Sequence, residues 1–175
     1  MKKARVLLAA TVFIVFFGLP GMVFAAAIRG GGFAGSGLGG PVTIHVKLQQ
    51  APGGPATGTI SLSFTGDQPN ISFLDLTVTG GDLATGGISG TATLTSGTPP
   101  SIVVMDVPLS AQITPGGPGV GGLEFNSVCI PSPDGILSAS GIPFPAFVLA
   151  CAGKKAGDAA TVVILIEHGN IIFSP

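Results

Sequence analysis

Three glycines in the stretch GSGLGG have the spacing of a turn that binds the pyrophosphate of a dinucleotide. Gly35, Gly37 and Gly40 fit the pattern GxGxxG, in which glycine lets the backbone approach the ligand at the N-terminus of a helix. That chemistry requires a strand before the turn and a helix after it. Here Pro41 and an alternating strand pattern follow, and the same spacing recurs in GPGVGG, as chance would produce among 29 glycines. We therefore predict no nucleotide site and interpret the run as a flexible or extended lead into the first strand.

Side chains that could support catalysis or bind a metal ion are few and scattered. The histidines are His45 and His168, and the acidic residues lie mostly singly. No HxH, HExxH or Asp-rich calcium loop occurs, and on a strand Glu167 would point away from His168. Ser89 in GGISGT misses the second glycine of the nucleophile elbow GxSxG by one position. We predict no catalytic, cofactor-binding or metal-binding residues and hence no enzyme, since a hydrolase would need a histidine in a cleft with an acid and a nucleophile in reach.

Two cysteines, Cys129 and Cys151, would close a loop of about 23 residues if they paired. Pairing is favoured in the oxidising compartments that exported chains reach. The alternative is two separate buried thiols, because a disulfide needs the two Cα atoms within about 7 Å and the sequence does not fix their placement. We predict the disulfide, with a structural role.

The first residues, MKKARVLLAATVFIVFFGLPGMVFAAA, have the layout of a secretory signal peptide. A basic start precedes an apolar run from Val6 to Phe17 and a helix-breaking GLPG. Small residues fit cleavage before Ala26, which makes residues 1–25 the signal, and they also fit cleavage before Ile28. An uncleaved anchor is the alternative, but a membrane span needs about 20 apolar residues. We predict export to the periplasm or outside the cell, with no membrane span in the mature chain.

Charge and aromatic content narrow the class of partner. Without the signal peptide, four basic residues face eight acidic ones, so the formal charge is 4 minus 8, or −4. Nucleic acid is not an expected partner, because phosphate binding needs clustered Lys and Arg. Tyr and Trp, the usual stacking platforms for sugars and bases, are absent from the sequence. No motif identifies a partner, and a protein or a cell surface is compatible with these features.

From Val42 onward the chain alternates apolar and polar residues, as half-buried strands do. VTIHVKL and GTISLSF, separated by a loop rich in Pro and Gly, predict a hairpin. NISFLDLTVT changes parity after Phe73, which predicts a bulge or a bend. SIVVMDVPLSAQIT places Met105 and five other apolar residues on one face, and Pro108 predicts an edge or a bend there.

The last third of the chain contains LEFNSVCI, two weaker apolar pieces in GILSASG and AFVLAC, and the pair TVVILIE and NIIFSP. A turn at His168–Gly169 is predicted to join the last two. The continuous apolar run Val162–Ile166 predicts a central strand buried on both faces. No stretch shows a 3.6-residue period with helix caps.

These patterns predict an all-β fold, either a single antiparallel β-sandwich or a closed barrel, with about 7–10 strands. The predicted organisation is a signal peptide over residues 1–25, a Gly-rich lead over 26–41 and one all-β domain over 42–175. About 150 residues suffice for one such domain.

Four stretches of the mature chain form a familiar layout: the start GGGFAGSGLGGPVTIHVKL, then ATGTISLSF, ISFLDLTVTGGDLATGGISGTATL and the closing TVVILIEHGNII. This layout resembles a loose group of small exported bacterial β-proteins with a Gly-rich start. The chain departs from the group where CAGKKAGDAA stands in place of an acidic, glycine-containing segment. The resemblance implies a single β domain and export, and it transfers no activity, cofactor or site residue.

These observations favour a non-enzymatic exported β-domain with a structural, adhesive or surface-interaction role. The alternative is a small barrel that carries an apolar ligand. A carrier requires a continuous apolar cavity of a few hundred cubic ångströms, whereas the first role predicts an interior filled by Leu, Ile, Val and Phe.

Overall fold

The computed structural model describes residues 26–35, 41–65, 71–97 and 101–175. The predicted signal peptide, Gly37 and Gly40 lie outside these residues. The described elements, in chain order, are β1 (Ala26–Ala34), β2 (Val42–Gln50), β3 (Ala56–Thr65), β4 (Ile71–Asp82), β5 (Gly87–Ser96), β6 (Ser101–Thr114), β7 (Gly122–Pro131), β8 (Leu137–Ala139), α1 (Pro145–Leu149), β9 (Ala159–Leu165) and β10 (His168–Ser174).

The strands form antiparallel ladders in one continuous sheet. β1 to β7 lie side by side in chain order, and β10 pairs with the outer side of β1. β7 pairs with β6 through residues 122–125, with β8 through 129–131, and along its opposite edge with β9. The sheet is not closed, because no ladder joins β9 to β10 in the described part of the chain. The all-β prediction is confirmed: the fold is β-sandwich-like, and closure into a barrel is not observed.

The core lies on one face of this sheet. In β2, Val42, Ile44, Val46 and Leu48 are buried while His45 is exposed, as the alternation predicts. The predicted hairpin is confirmed, because Val42–Gln50 pairs residue for residue with the strand Ala56–Phe64. The inner faces of the other strands join the same cluster of buried side chains.

A cross-strand row through the middle of the sheet has two glycines set between larger apolar residues. In pairing order the row is Ile28, Leu48, Gly58, Val78, Gly90 and Leu109. Gly58 has a φ of +137°, and a Cβ built there would lie 2.1 Å from the backbone oxygen of Lys47. Glycine is therefore required at this point, because any side chain would force the two backbones apart.

A short helix closes one end of the core, where the sequence predicts none. Pro145 occupies the first turn of α1, a position where its missing N–H costs nothing. Phe144 and Phe147 pack edge-on with ring centroids 6.3 Å apart, and Phe147 also contacts Phe125 at 5.2 Å. A helix of five residues is too short to show the 3.6-residue period by which a helix is recognised in a sequence.

The folded sheet begins earlier than the predicted boundary at Val42. Residues 26–34, predicted as part of a Gly-rich lead, form β1 and pair with both β2 and β10. Ile28 is fully buried there. The successive glycines of IRGGGFA hide the alternation, because they have no side chain to show which face they occupy.

Two predictions about which residues share a face of a strand are wrong, one in β4 and one in β6. The register of β4 is continuous across Phe73 and shifts instead between Val78 and Gly80. In β6 the register also shifts, near Asp106, whose φ is +57°. This bulge turns Met105 outward, where it is 61 % exposed instead of lying on the inner face. The predicted edge or bend at Pro108 is consistent with the pairing, since β6 is paired only with β5 there.

The predicted disulfide is confirmed. Cys129 on β7 and Cys151, just after α1, are bonded, with their Cα atoms 5.7 Å apart. Both residues are buried. The bond therefore ties the helix segment to the sheet.

Replacing both cysteines by alanine should lower the free energy of unfolding by about 3 kcal/mol, because the unfolded chain regains the entropy of a loop of this length. Urea denaturation of the double variant measures the change, and reduced wild-type protein should show a similar loss. A loss well under about 1 kcal/mol would contradict the prediction.

Gly58→Ala should destabilise the fold by about 3 kcal/mol or more, because its Cβ meets backbone rather than a movable side chain. Gly117→Ala is the matched control, since nothing lies within 4 Å of its added Cβ. The control should change stability by less than about 1 kcal/mol. Thermal unfolding of both variants distinguishes them, and equal melting temperatures would rule out the proposed backbone constraint.

Candidate interaction surface

The residues singled out for possible chemistry lie apart in the fold. His45 and His168 are both exposed, on β2 and β10 respectively. The ring of His168 faces Phe33 at a centroid distance of 6.5 Å. Among the described residues, no group of three His, Cys, Asp or Glu side chains is placed to hold a metal ion.

Ser89 lies in a polar cleft where β6 and β7 diverge. Two adjoining depressions of about 340 and 350 Å³ share Ser89, Ser110 and Asn126. Ser127 and Ser140, at one end, hydrogen-bond to each other at 2.5 Å. Neither histidine lines this cleft, so its hydroxyl groups have no imidazole base within it.

β9 differs most from its prediction. The run Val162–Ile166 was expected to be buried on both faces, but residues alternate along the strand, and Val163 and Leu165 are 45 % and 47 % exposed. Among the described strands, β9 pairs with β7 alone. β9 is therefore an edge strand with an apolar outer face, and the turn to β10 falls at residues 166–167 rather than at His168–Gly169.

The backbone of β9 presents unpaired groups on the side away from β7. Ile166 donates its N–H to Gly121 O at 2.8 Å, and Cys129 donates to Asp158 O at 2.8 Å. Backbone groups alternate in direction along a strand, so the even-numbered residues face β7. The N–H and C=O groups of residues 159, 161, 163 and 165 point outward. We call this open ladder the β9 edge.

The β9 edge has one covering contact in the described structure. The ammonium group of Lys154 donates to Ala159 O at 2.7 Å, at the start of the strand. Within residues 26–35, 41–65, 71–97 and 101–175, Thr161 and Val163 have no backbone partner on that side. Unpaired edge groups of this kind are a template for another strand.

Side chains beside the β9 edge form an apolar surface with one polar row. Val128, which pairs with Ala159, is exposed like Val163. Thr161 donates from Oγ1 to Asn126 Oδ1 at 2.9 Å, and Asn126 donates from Nδ2 to Glu124 Oε1 at 2.9 Å. The polar side chains of this row thus hydrogen-bond to one another, and the apolar side chains beside them are exposed.

A groove of about 570 Å³ adjoins the C-terminal end of this edge. Its lining is mostly apolar and consists of Ala34, Pro118, Gly119, Val163, Leu165, Ile166 and Glu167. Glu167 donates its backbone N–H to Phe33 O at 2.8 Å, which ties the β9–β10 turn to β1. The groove therefore has fixed walls next to the open ladder.

The perturbed carboxyl group lies away from this surface. A hydrogen bond from Ser132 Oγ to Asp134 Oδ1 lowers the pKa of Asp134 below its ordinary value. Both residues belong to the turn between β7 and β8. The shift is accounted for by this turn and indicates no catalytic role.

Comparison with protein-family models, curated proteins and solved structures finds no match for this chain. In the described residues, no helix is long and apolar enough to cross a membrane.

The disulfide between Cys129 and Cys151 is predicted correctly from the sequence, whereas the open edge of β9 is not predicted. A continuous apolar run is compatible with burial on both faces or with one exposed apolar face. The neighbouring sequence does not separate these two possibilities: GKKAGDAA before the strand and EHGN after it place turns at both ends, and neither identifies an edge.

Hydrogen exchange tests the open ladder directly. In dilute protein the amides of Thr161 and Val163 should exchange at least about tenfold faster than those of Val162 and Ile164, which face β7. Residue-resolved NMR exchange rates check the alternation. Uniform protection along β9 would show that another group covers its edge.

Proposed function

We infer that this chain is an exported, non-enzymatic β-domain that binds other polypeptides, with the β9 edge as its binding element. The observation that carries the proposal is an uncharged seven-residue edge strand with unpaired backbone groups and exposed Val163 and Leu165. An added strand gains main-chain hydrogen bonds at such an edge, and alternate side chains give specificity.

The interior supports an interaction role over the carrier alternative. Phe125, Phe144 and Phe147 are fully buried and pack with large aliphatic side chains in one cluster. The depressions described above are lined mainly by exposed residues of the outer faces, strand ends and loops, and of the core cluster only Ala34 and Ile166 reach the groove of about 570 Å³. A carrier would place its apolar volume among the core side chains instead.

Two observations are compatible with export. The chain contains a disulfide, which persists in oxidising compartments, and the described residues contain no membrane-spanning helix. Export itself rests on the sequence of residues 1–25.

A random-peptide display library selected against the dilute protein tests the function. Enriched peptides should bind in extended form and shift the amide resonances of Thr161, Val163 and Leu165. Val163→Lys should reduce their affinity by about tenfold or more, because it places a charge in the apolar contact. Met105→Lys adds the same charge at an exposed apolar residue on β6 and should leave the affinity unchanged.

Selection of peptides that shift only residues elsewhere, or equal loss in both variants, would reject the β9 edge as the binding element. Co-purification of a lipid that shifts core resonances would favour the carrier instead.

A further inference from the structure

We propose that the partner of the β9 edge is the β9 edge of a second copy, paired antiparallel about a two-fold axis through Val162. This proposal rests on the proposed function and names the partner that binds at the β9 edge. The two sheets would then continue into each other across the interface.

β9 is the edge that the structure leaves least protected. The open side of β6 is interrupted by Pro108 and by the bulge at Asp106. β8 has three residues, and the outer edge of β10 is bridged where Gly116 and Ile171 exchange hydrogen bonds of 2.8 and 2.9 Å. Prolines, bulges, short length and lysines at the edge are among the devices that block strand addition. β9 has no proline or bulge, and its one covering contact in the described structure is the Lys154 ammonium group at Ala159 O.

The direction of the backbone groups fixes a register for self-pairing. Only odd-numbered residues of β9 have outward groups, so hydrogen-bonded partners must both be odd. The register that overlaps the whole strand pairs Ala159 with Leu165 and Thr161 with Val163 of the second copy. In this register the N–H of Leu165 takes the place of the Lys154 ammonium group at Ala159 O. Val162 then lies opposite itself at the two-fold axis, in a non-hydrogen-bonded pair.

Charge favours a second copy in this arrangement. β9 contains no charged residue, so self-pairing places no like charges opposite each other. Lys154, Lys155 and Asp158 precede the Ala159 end, where their formal charges are +1, +1 and −1 and add to +1, and Glu167 follows two residues after Leu165. Antiparallel pairing brings the basic end of each copy to the acidic end of the other.

The outer face is also complementary to itself. Leu165 of one copy would lie beside Ala159 of the other, whose neighbour on β7 is the exposed Val128. The groove next to Leu165 has room for the incoming end of the second strand. Apolar side chains that are now half exposed would thus be buried in two symmetric clusters.

Sedimentation of the exported protein over a range of concentrations tests the assembly. We expect a monomer–dimer equilibrium. Amide exchange at Thr161 and Val163 should become slower as the dimeric fraction of the protein rises with concentration. Val163→Lys should weaken the dimer by about tenfold or more. Met105→Lys should not change it, and the melting temperature shows that both variants are folded.

A mixed-cysteine experiment tests the register. Thr161→Cys and Val163→Cys, combined in equal amounts and oxidised, should form an interchain disulfide, because their Cα atoms would lie about 5.5 Å apart. Either variant alone should not, since diagonal neighbours lie at about 7–8 Å.

A monomer at millimolar concentration, a dimer insensitive to Val163→Lys, or stronger cross-linking within one variant would overturn this assignment. Peptide binding at the β9 edge of a protein that stays monomeric would leave the proposed function standing and reject the second copy. Dimerisation through β9 without binding of library peptides would leave the second copy as the partner and reject binding of unrelated polypeptides at this edge.

Discussion

The structure depends on the close approach of neighbouring backbones within a single sheet that must supply its own core. Gly58 and Gly90 occupy the same cross-strand row, and a Cβ at Gly90 would lie 1.9 Å from Thr77 O. Without side chains at these points, the strands can pack where any other residue would collide. The large members of the row then fill the space that the glycines leave.

An open sheet of this kind leaves edges, and the edges differ in how they are protected. Pro108 and the Asp106 bulge interrupt one edge, and the loop at Gly116 bridges another. β9 is left as a continuous neutral strand. An unprotected apolar edge is a liability in a protein that acts alone, so its retention beside a formed groove favours a role in binding.

The sequence predicts the elements whose side-chain alternation is uninterrupted, such as β2 and β3. The sequence does not predict elements whose geometry is set by the backbone conformation rather than by the pattern of side chains. The glycines of β1 have no facing side chain, and one positive φ at Asp106 moves Met105 to the opposite face. β9 was misjudged because Val163 and Leu165 are as apolar as buried residues although they face outward. The disulfide was predictable, because the export predicted from residues 1–25 and the count of two cysteines both favour pairing independently of placement.

The disulfide and the β9 edge are parts of one local structure. Cys129 accepts a backbone hydrogen bond from Gly157 and donates one to Asp158, immediately before β9 begins. Cys151 lies three residues before Lys154, whose side chain caps Ala159 O. The cross-link therefore fixes both the segment that leads into the strand and the one basic group that covers it. A preordered edge loses less conformational entropy when a partner strand binds, so the oxidising environment that forms the bond also prepares the surface.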